Sequence, residues 1–159
     1  MRPLVVSLLI VFAATNAAAQ ASKPVQSCPL LDLSDAAALT GPGVEFLSGR
    51  EGAGQGGAKT YLCFFAVGEG RSLTVKSAPL IVKNAAEYQK MMDPLLKATG
   101  GSVETGLGEY AYSKLDSASA ELTVVKGAAS MSLELKGKGL AATDLEKMRT
   151  IAKKMLGKL

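Results

Sequence analysis

The sequence predicts an α+β fold: an antiparallel sheet of about six strands with three helices, in the order α-βββ-α-βββ-α. Three features carry that reading. Helix start signals stand at Asp32, Asn84 and Thr143, each leading into residues with helical spacing. Between them lie segments with the two-residue alternation of strands, clearest from Ala129 to Lys136. Glycine-rich turns punctuate the rest.

Ahead of the first of these elements, Arg2 precedes an uncharged apolar run, Leu4 to Ala14, which is followed by Ala17-Ala18-Ala19. This is the three-part layout of a secretory signal peptide, assigned to residues 1–19. The run is too short for a membrane span, which needs about 20 apolar residues. Residues 20–29 then read as an N-terminal arm, and residues 30–159 as a single domain large enough to enclose a core. The expected location is periplasmic or secreted, with no transmembrane segment after signal cleavage.

The arm ends at Cys28, and the second cysteine is Cys63. A lipoprotein cysteine directly follows the apolar run within a motif of small residues. Here the polar, proline-containing stretch Gln20 to Ser27 intervenes. A metal site needs further thiolates or histidines, and a redox pair is normally C-x-x-C. In an oxidising compartment two cysteines in a small domain pair with each other. Closing that loop contributes about 3.5–4 kcal/mol in the chain-entropy picture.

The first helix follows, with Asp32 as its cap, Asp35 three residues on, and Leu30, Leu31, Leu33 and Leu39 as anchors. Thr40-Gly41-Pro42-Gly43 stops it. Val44 to Ser48 reads as a strand, and Gly49 to Gly57 as a flexible hairpin loop. The loop lacks the order of a phosphate-binding glycine motif and leads into a strand rather than a helix. Thr60 to Val67 is apolar on both faces, which predicts a central strand with both sides at least partly covered. Gly68-Glu69-Gly70 turns into Ser72 to Ser77, and Pro79 ends that pairing or puts it on an edge.

Asn84 with Glu87 starts the second helix, whose apolar positions are Tyr88, Met91, Met92, Leu95 and Leu96. The methionine pair reads as core packing, and Pro94 is expected to kink the helix or end its regular part. After Thr99-Gly100-Gly101, a turn at Gly106 to Glu109 enters a strand through Tyr112. Glu121–Lys126 and Ala129–Lys136 form a hairpin turning at Lys126-Gly127, with one wet face. The last helix is capped by Thr143 with Glu146, and its stripe is Leu145, Met148, Ala152, Met155, Leu156 and Leu159. All three helices are expected on one sheet face. Both halves share one element order, as a structural duplication would give, although no residue-level repeat accompanies it.

Four of these features occur together: Cys28-Pro29-Leu30-Leu31 before a helix ending at Gly41, Cys63 on a central strand, G-L-G-E-x-A from Gly106 to Ala111, and V-V-K-G from Val124 to Gly127. In them the chain resembles a broad group of small exported bacterial envelope proteins of unknown function, over roughly Cys28 to Leu159. The resemblance implies a two-cysteine α+β envelope domain and supplies no catalytic residue. Unlike the many lipoproteins in that group, this chain has no lipobox.

Composition narrows the function classes. Histidine is absent, which removes Ser-His-Asp and Cys-His catalysis and most zinc and copper sites. The 18 basic residues against 14 acidic ones are too mild an excess for a nucleic-acid binder. No cofactor motif is present. The reading that remains is a non-catalytic binding or interaction protein, with a protein or small-molecule partner in the cell envelope. Its candidate contacts are Arg50, Glu51, Tyr110, Tyr112 and Lys126. One alternative is a hydrolase using two of Glu45, Glu51, Glu69, Glu104, Glu109, Asp116 and Glu121. Another is a membrane-surface role for the lysine-rich last helix.

Overall fold

Apolar residues at every second position in both halves of the chain pave one face of a single antiparallel sheet. The computed structural model describes residues 22–54 and 57–158. The expected leader, residues 1–19, and Leu159 lie outside the described residues. In chain order the elements are β1 (Lys23–Pro24), α1 (Leu33–Thr40), β2 (Glu45–Ala53), β3 (Lys59–Val67), β4 (Arg71–Pro79) and α2 (Ala85–Thr99). Then follow β5 (Ser102–Glu104), β6 (Tyr110–Leu115), β7 (Ser119–Lys126), β8 (Ala129–Lys136) and α3 (Ala142–Met155). The strands lie in the order β1-β2-β3-β4-β8-β7-β6-β5.

The sheet therefore has eight strands, not six. The two that sequence alone did not reveal, β1 and β5, are two and three residues long. Such lengths are too short to show an alternation, and both strands sit at the outer edges. β2 also runs on to Ala53, so Gly49 to Ala53 of the expected glycine loop belong to a strand. The glycines there serve close approach: a side chain at Gly49 would collide with Val25 of the arm and with Phe46.

On the first face, Cys63, Phe65 and Val67 of β3 join Leu73 and Val75 of β4 and Met131, Leu133 and Leu135 of β8. Ala120, Leu122 and Val124 of β7 continue the layer. Both α1 and α3 pack on it, through Ala36 and Leu39 and through Leu145, Met148, Ile151, Ala152 and Met155. Ile151 completes the stripe read for the last helix. Burying this many large side chains at about 25 cal/mol per Å² supplies most of the stabilisation.

The second face is organised differently, and the expectation of helices on one face only is corrected here. α2 lies on this face, over β6 and β7, where Ala85, Leu96, Tyr88 and Met92 cluster with Tyr110, Tyr112 and Val125. Because the chain must leave β4 in mid-sheet and restart at the far edge, α2 is the crossover. The β2-β3-β4 and β6-β7-β8 meanders meet through an antiparallel β4–β8 ladder, and a two-fold axis relating them would stand perpendicular to the sheet. Such an axis keeps each face on its own side. α1 and α2, on opposite faces, cannot be its mates, so the likeness of the halves is confined to the strands.

Local signals at the helix ends hold with two adjustments. The Asp32 carboxylate accepts from the Asp35 N–H at 2.8 Å, and the Gly41 N–H donates to the Ala37 carbonyl at 2.8 Å. The Asn84 side chain accepts from the Glu87 N–H at 3.0 Å, while the Glu87 carboxylate reaches the Lys83 N–H at 3.1 Å. Pro94 does not end α2, which runs to Thr99; it lies on the exposed side, where water can replace the missing backbone bond. α3 starts before Thr143, and it is Asp144 that accepts from the Ala141 N–H, at 2.9 Å.

Two of the sequence motifs meet in space. Gly108, at φ 60°, packs against the Val125 carbonyl, where a Cβ would clash. That approach lets the Glu109 N–H donate to Val125 at 2.8 Å, and the Glu109 carboxylate accepts from the Gly127 N–H at 2.9 Å in the β7–β8 turn. The Cys28–Cys63 disulfide is present, with a Cα–Cα separation of 5.7 Å, and ties the segment before α1 to β3. Replacing both cysteines by serine is expected to lower stability by about 2–4 kcal/mol. The check is the urea midpoint of the variant against that of the wild type; reductant should lower the wild-type midpoint in the same direction.

Candidate functional site

The ionisable side chains separate into small structural clusters. Glu104, on edge strand β5, receives two hydrogen bonds from the Arg149 guanidinium of α3, at 2.8 and 2.7 Å, and one from the Ser113 hydroxyl at 2.5 Å. Arg149 also pairs with Glu146 at 2.6 Å. The hydrogen bonds from Arg149 are the main reason the Glu104 carboxyl titrates below its ordinary value. This cluster fastens the edge strand to a helix. Its geometry uses both carboxylate oxygens.

The other acids weighed for hydrolysis serve separate local contacts. Glu51 pairs with Lys59 at 3.2 Å, and Glu109 holds the Gly127 turn. Asp116 accepts from the Ala118 and Ser119 N–H groups, both at 2.8 Å, in the β6–β7 turn. Glu121 accepts from Thr123 at 3.2 Å, while Glu45 and Glu69 are exposed. Among the described residues, no group of three His, Cys, Asp or Glu side chains converges as a metal site. The apolar stripe of α3 is spent on the core, its Lys154 pairs with Asp35 at 2.6 Å, and beyond it Lys158 donates to the Leu30 carbonyl at 3.1 Å.

What remains is the part of the second face that α2 leaves bare. Register places Arg50, Leu62 and Lys76 side by side across β2, β3 and β4, with Ser132 and Thr123 continuing the row on β8 and β7. The neighbouring row holds Ser48, Phe64, Thr74 and Glu134. The second side of β3, expected to be at least partly covered, is partly open: Phe64 is 38% exposed, while Leu62 and Ala66 are half-buried. A shallow hollow of about 480 Å³ is lined by Arg50, Gly52, Thr60, Leu62, Lys76 and Ala78, together with Ser22 of the arm. Gly52 faces Thr60 across β2 and β3, and Ala78 of β4 lines the same depression. A smaller hollow of about 290 Å³ at the sheet end is flanked by Lys59 and Lys158, both already engaged as described.

The five contacts read from sequence are dispersed. Arg50 lies on the open face, with its guanidinium 3.5 Å from the Ser22 hydroxyl. Glu51, one residue on, belongs to the opposite face beside Tyr61. Tyr110 and Tyr112 are 5% and 8% exposed beneath α2, so they do not lie on the open face. The Tyr110 hydroxyl donates to Asp93 at 2.9 Å, and burial raises its pKa. Lys126 donates to the Leu156 carbonyl at 2.7 Å, holding the turn that ends α3. Sequence reasoning missed Leu62, Phe64 and Lys76, whose alternation was visible but whose cross-strand alignment depends on register. Comparison with protein-family models, with curated proteins and with solved structures returns no match to this chain.

Replacing Arg149 by Met is expected to cost about 1–3 kcal/mol, since it strands a nearly buried carboxylate. The pair also makes stability depend on pH. With its folded pKa depressed, Glu104 contributes fully above its ordinary value of 4.5 and loses that contribution as pH falls through the folded value. Urea midpoints at pH 7 and pH 3 should therefore differ less for Glu104→Gln than for the wild type.

Proposed function

We propose that this chain is a disulfide-stapled binding module of an oxidising compartment, periplasmic or secreted, which takes its ligand on the bare part of the second sheet face. The observation that carries the proposal is the exposed Phe64 beside the half-buried Leu62 on β3, with Arg50 and Lys76 flanking Leu62. An apolar patch with a polar border at a place the fold leaves uncovered is the usual mark of an interaction surface. The compartment is supported by the disulfide and by the leader-like N-terminus. No helix among the described residues is long and apolar enough to cross a membrane. The non-catalytic reading is supported by the absence of histidine and by the structural engagement of Glu104, Glu51, Glu109 and Asp116.

Two measurements test it. Phe64→Ser should cost about 1–2 kcal/mol, because more than a third of the side chain is already in water; a Phe that served the core would cost about 3–5 kcal/mol. In a small-molecule screen read by backbone amide shifts, saturable hits should cluster at Ser48, Arg50, Leu62, Phe64 and Lys76. Hits confined to the α2 side of the sheet or to the loops would sink the proposal.

A further inference from the structure

The uncovered patch has a polarity, and this points to a ligand class. Along β3 the side chains on this face are Leu62, Phe64 and Ala66. Four residues of strand make that stripe about 13 Å long. At its Leu62 end it is flanked by Arg50 on one side and Lys76 on the other, two strand spacings or about 10 Å apart at the backbone. At its Ala66 end the neighbour on β2 is Glu45. The intermediate flanks, Ser48 and Thr74, are uncharged.

The charges flanking the stripe are thus cationic at one end and anionic at the other. Neither Arg50 nor Lys76 is in an ion pair among the described residues, and Arg50 has only a long contact to a neutral hydroxyl. The other carboxylate on this face near the stripe, Glu134, stands beyond Thr74 and is paired with Lys136 at 3.0 Å. Glu51, next to Arg50 in sequence, is on the other face and is held by Lys59. Two cations with no ion pair among the described residues therefore flank one end of an apolar strip, and both line one shallow hollow.

We infer that the patch binds a small amphiphile with a carboxylate head, seated between Arg50 and Lys76, and with its apolar body lying along Leu62, Phe64 and Ala66. A guanidinium fork and an ammonium suit a carboxylate. The apolar body gains from leaving water over a stripe too narrow to hold a large protein interface. Glu45 sets the direction, because a carboxylate placed at the Ala66 end would meet a like charge. The inference rests on the binding reading above and adds the ligand's charge, shape and orientation.

The test uses the disulfide-intact protein and three probes below their micelle concentrations: decanoate, decyl maltoside with the same tail and a neutral head, and acetate with the head alone. Amide shifts and calorimetry follow each titration. Decanoate should bind saturably, with shifts at Arg50, Leu62, Phe64 and Lys76. Decyl maltoside should bind at least about tenfold more weakly, and acetate should not saturate. Arg50→Gln and Lys76→Gln should each weaken decanoate by about three- to tenfold while leaving the urea midpoint unchanged. Equal binding of decanoate and decyl maltoside at the patch overturns the carboxylate and leaves the binding surface standing. Decanoate shifts at another place, or no saturation, overturn the inference outright; the broader screen then decides separately whether the face binds anything.

Discussion

From Ser72 to Pro79, β4 pairs with β8 from Lys136 to Ala129, and this ladder turns two meanders from opposite halves of the chain into one sheet. The residues that meet across it on the first face, Leu73 with Leu135 and Val75 with Leu133, are fully buried. They form the floor on which both α1 and α3 settle. With two of three helices committed to that face, one remains for the other, and its own apolar partners, Tyr110, Tyr112 and Val125, hold it over β6 and β7. The bare region over β2, β3 and β4 is thus a consequence of helix count and sheet width. The second face there is polar at most positions, which is what lets it face water. Leu62 and Phe64 are the large apolar departures from that pattern.

The punctuation of the chain has physical work at particular places. In G-L-G-E-x-A, Leu107 and Ala111 are buried in the main core, Gly108 permits a close approach to Val125, and Glu109 closes the Gly127 turn. V-V-K-G supplies the other side of that contact through Val124, Val125 and Gly127. These two motifs define a corner of the sheet. A corner of this kind serves folding, so the motifs speak to architecture.

Much of the fold was legible from one sequence because local chemistry and tertiary packing agree. Asp32, Asn84 and Gly41 cap helices as their residue types predict, and the β7–β8 hairpin turns where Gly127 allows it. The cysteine pair followed from compartment and elimination. Three things were not legible. β1 and β5 exist only because longer neighbours offer them an edge. The side on which α2 packs depends on where β5 restarts. The candidate site depends on register, since Arg50, Leu62 and Lys76 are neighbours only through two successive ladders. Tyr110 and Tyr112 show the converse: exposed-looking aromatics in a short strand were claimed by a helix that the strand pattern gave no means of placing.

The two shortest strands have a further consequence, for how copies of this chain behave together. A sheet edge offers unpaired backbone groups to any other strand, and long flat edges invite chain-to-chain pairing. Here one border of the sheet ends in Lys23-Pro24, whose proline cannot donate to a further strand, and the strand behind it is broken by a bulge at Leu47. The other ends in three residues, whose Glu104 is bound to Arg149. Both borders are thus poor templates for polymerisation. Resistance to aggregation is a property that the arm and the edge strand provide at the cost of five residues of pairing.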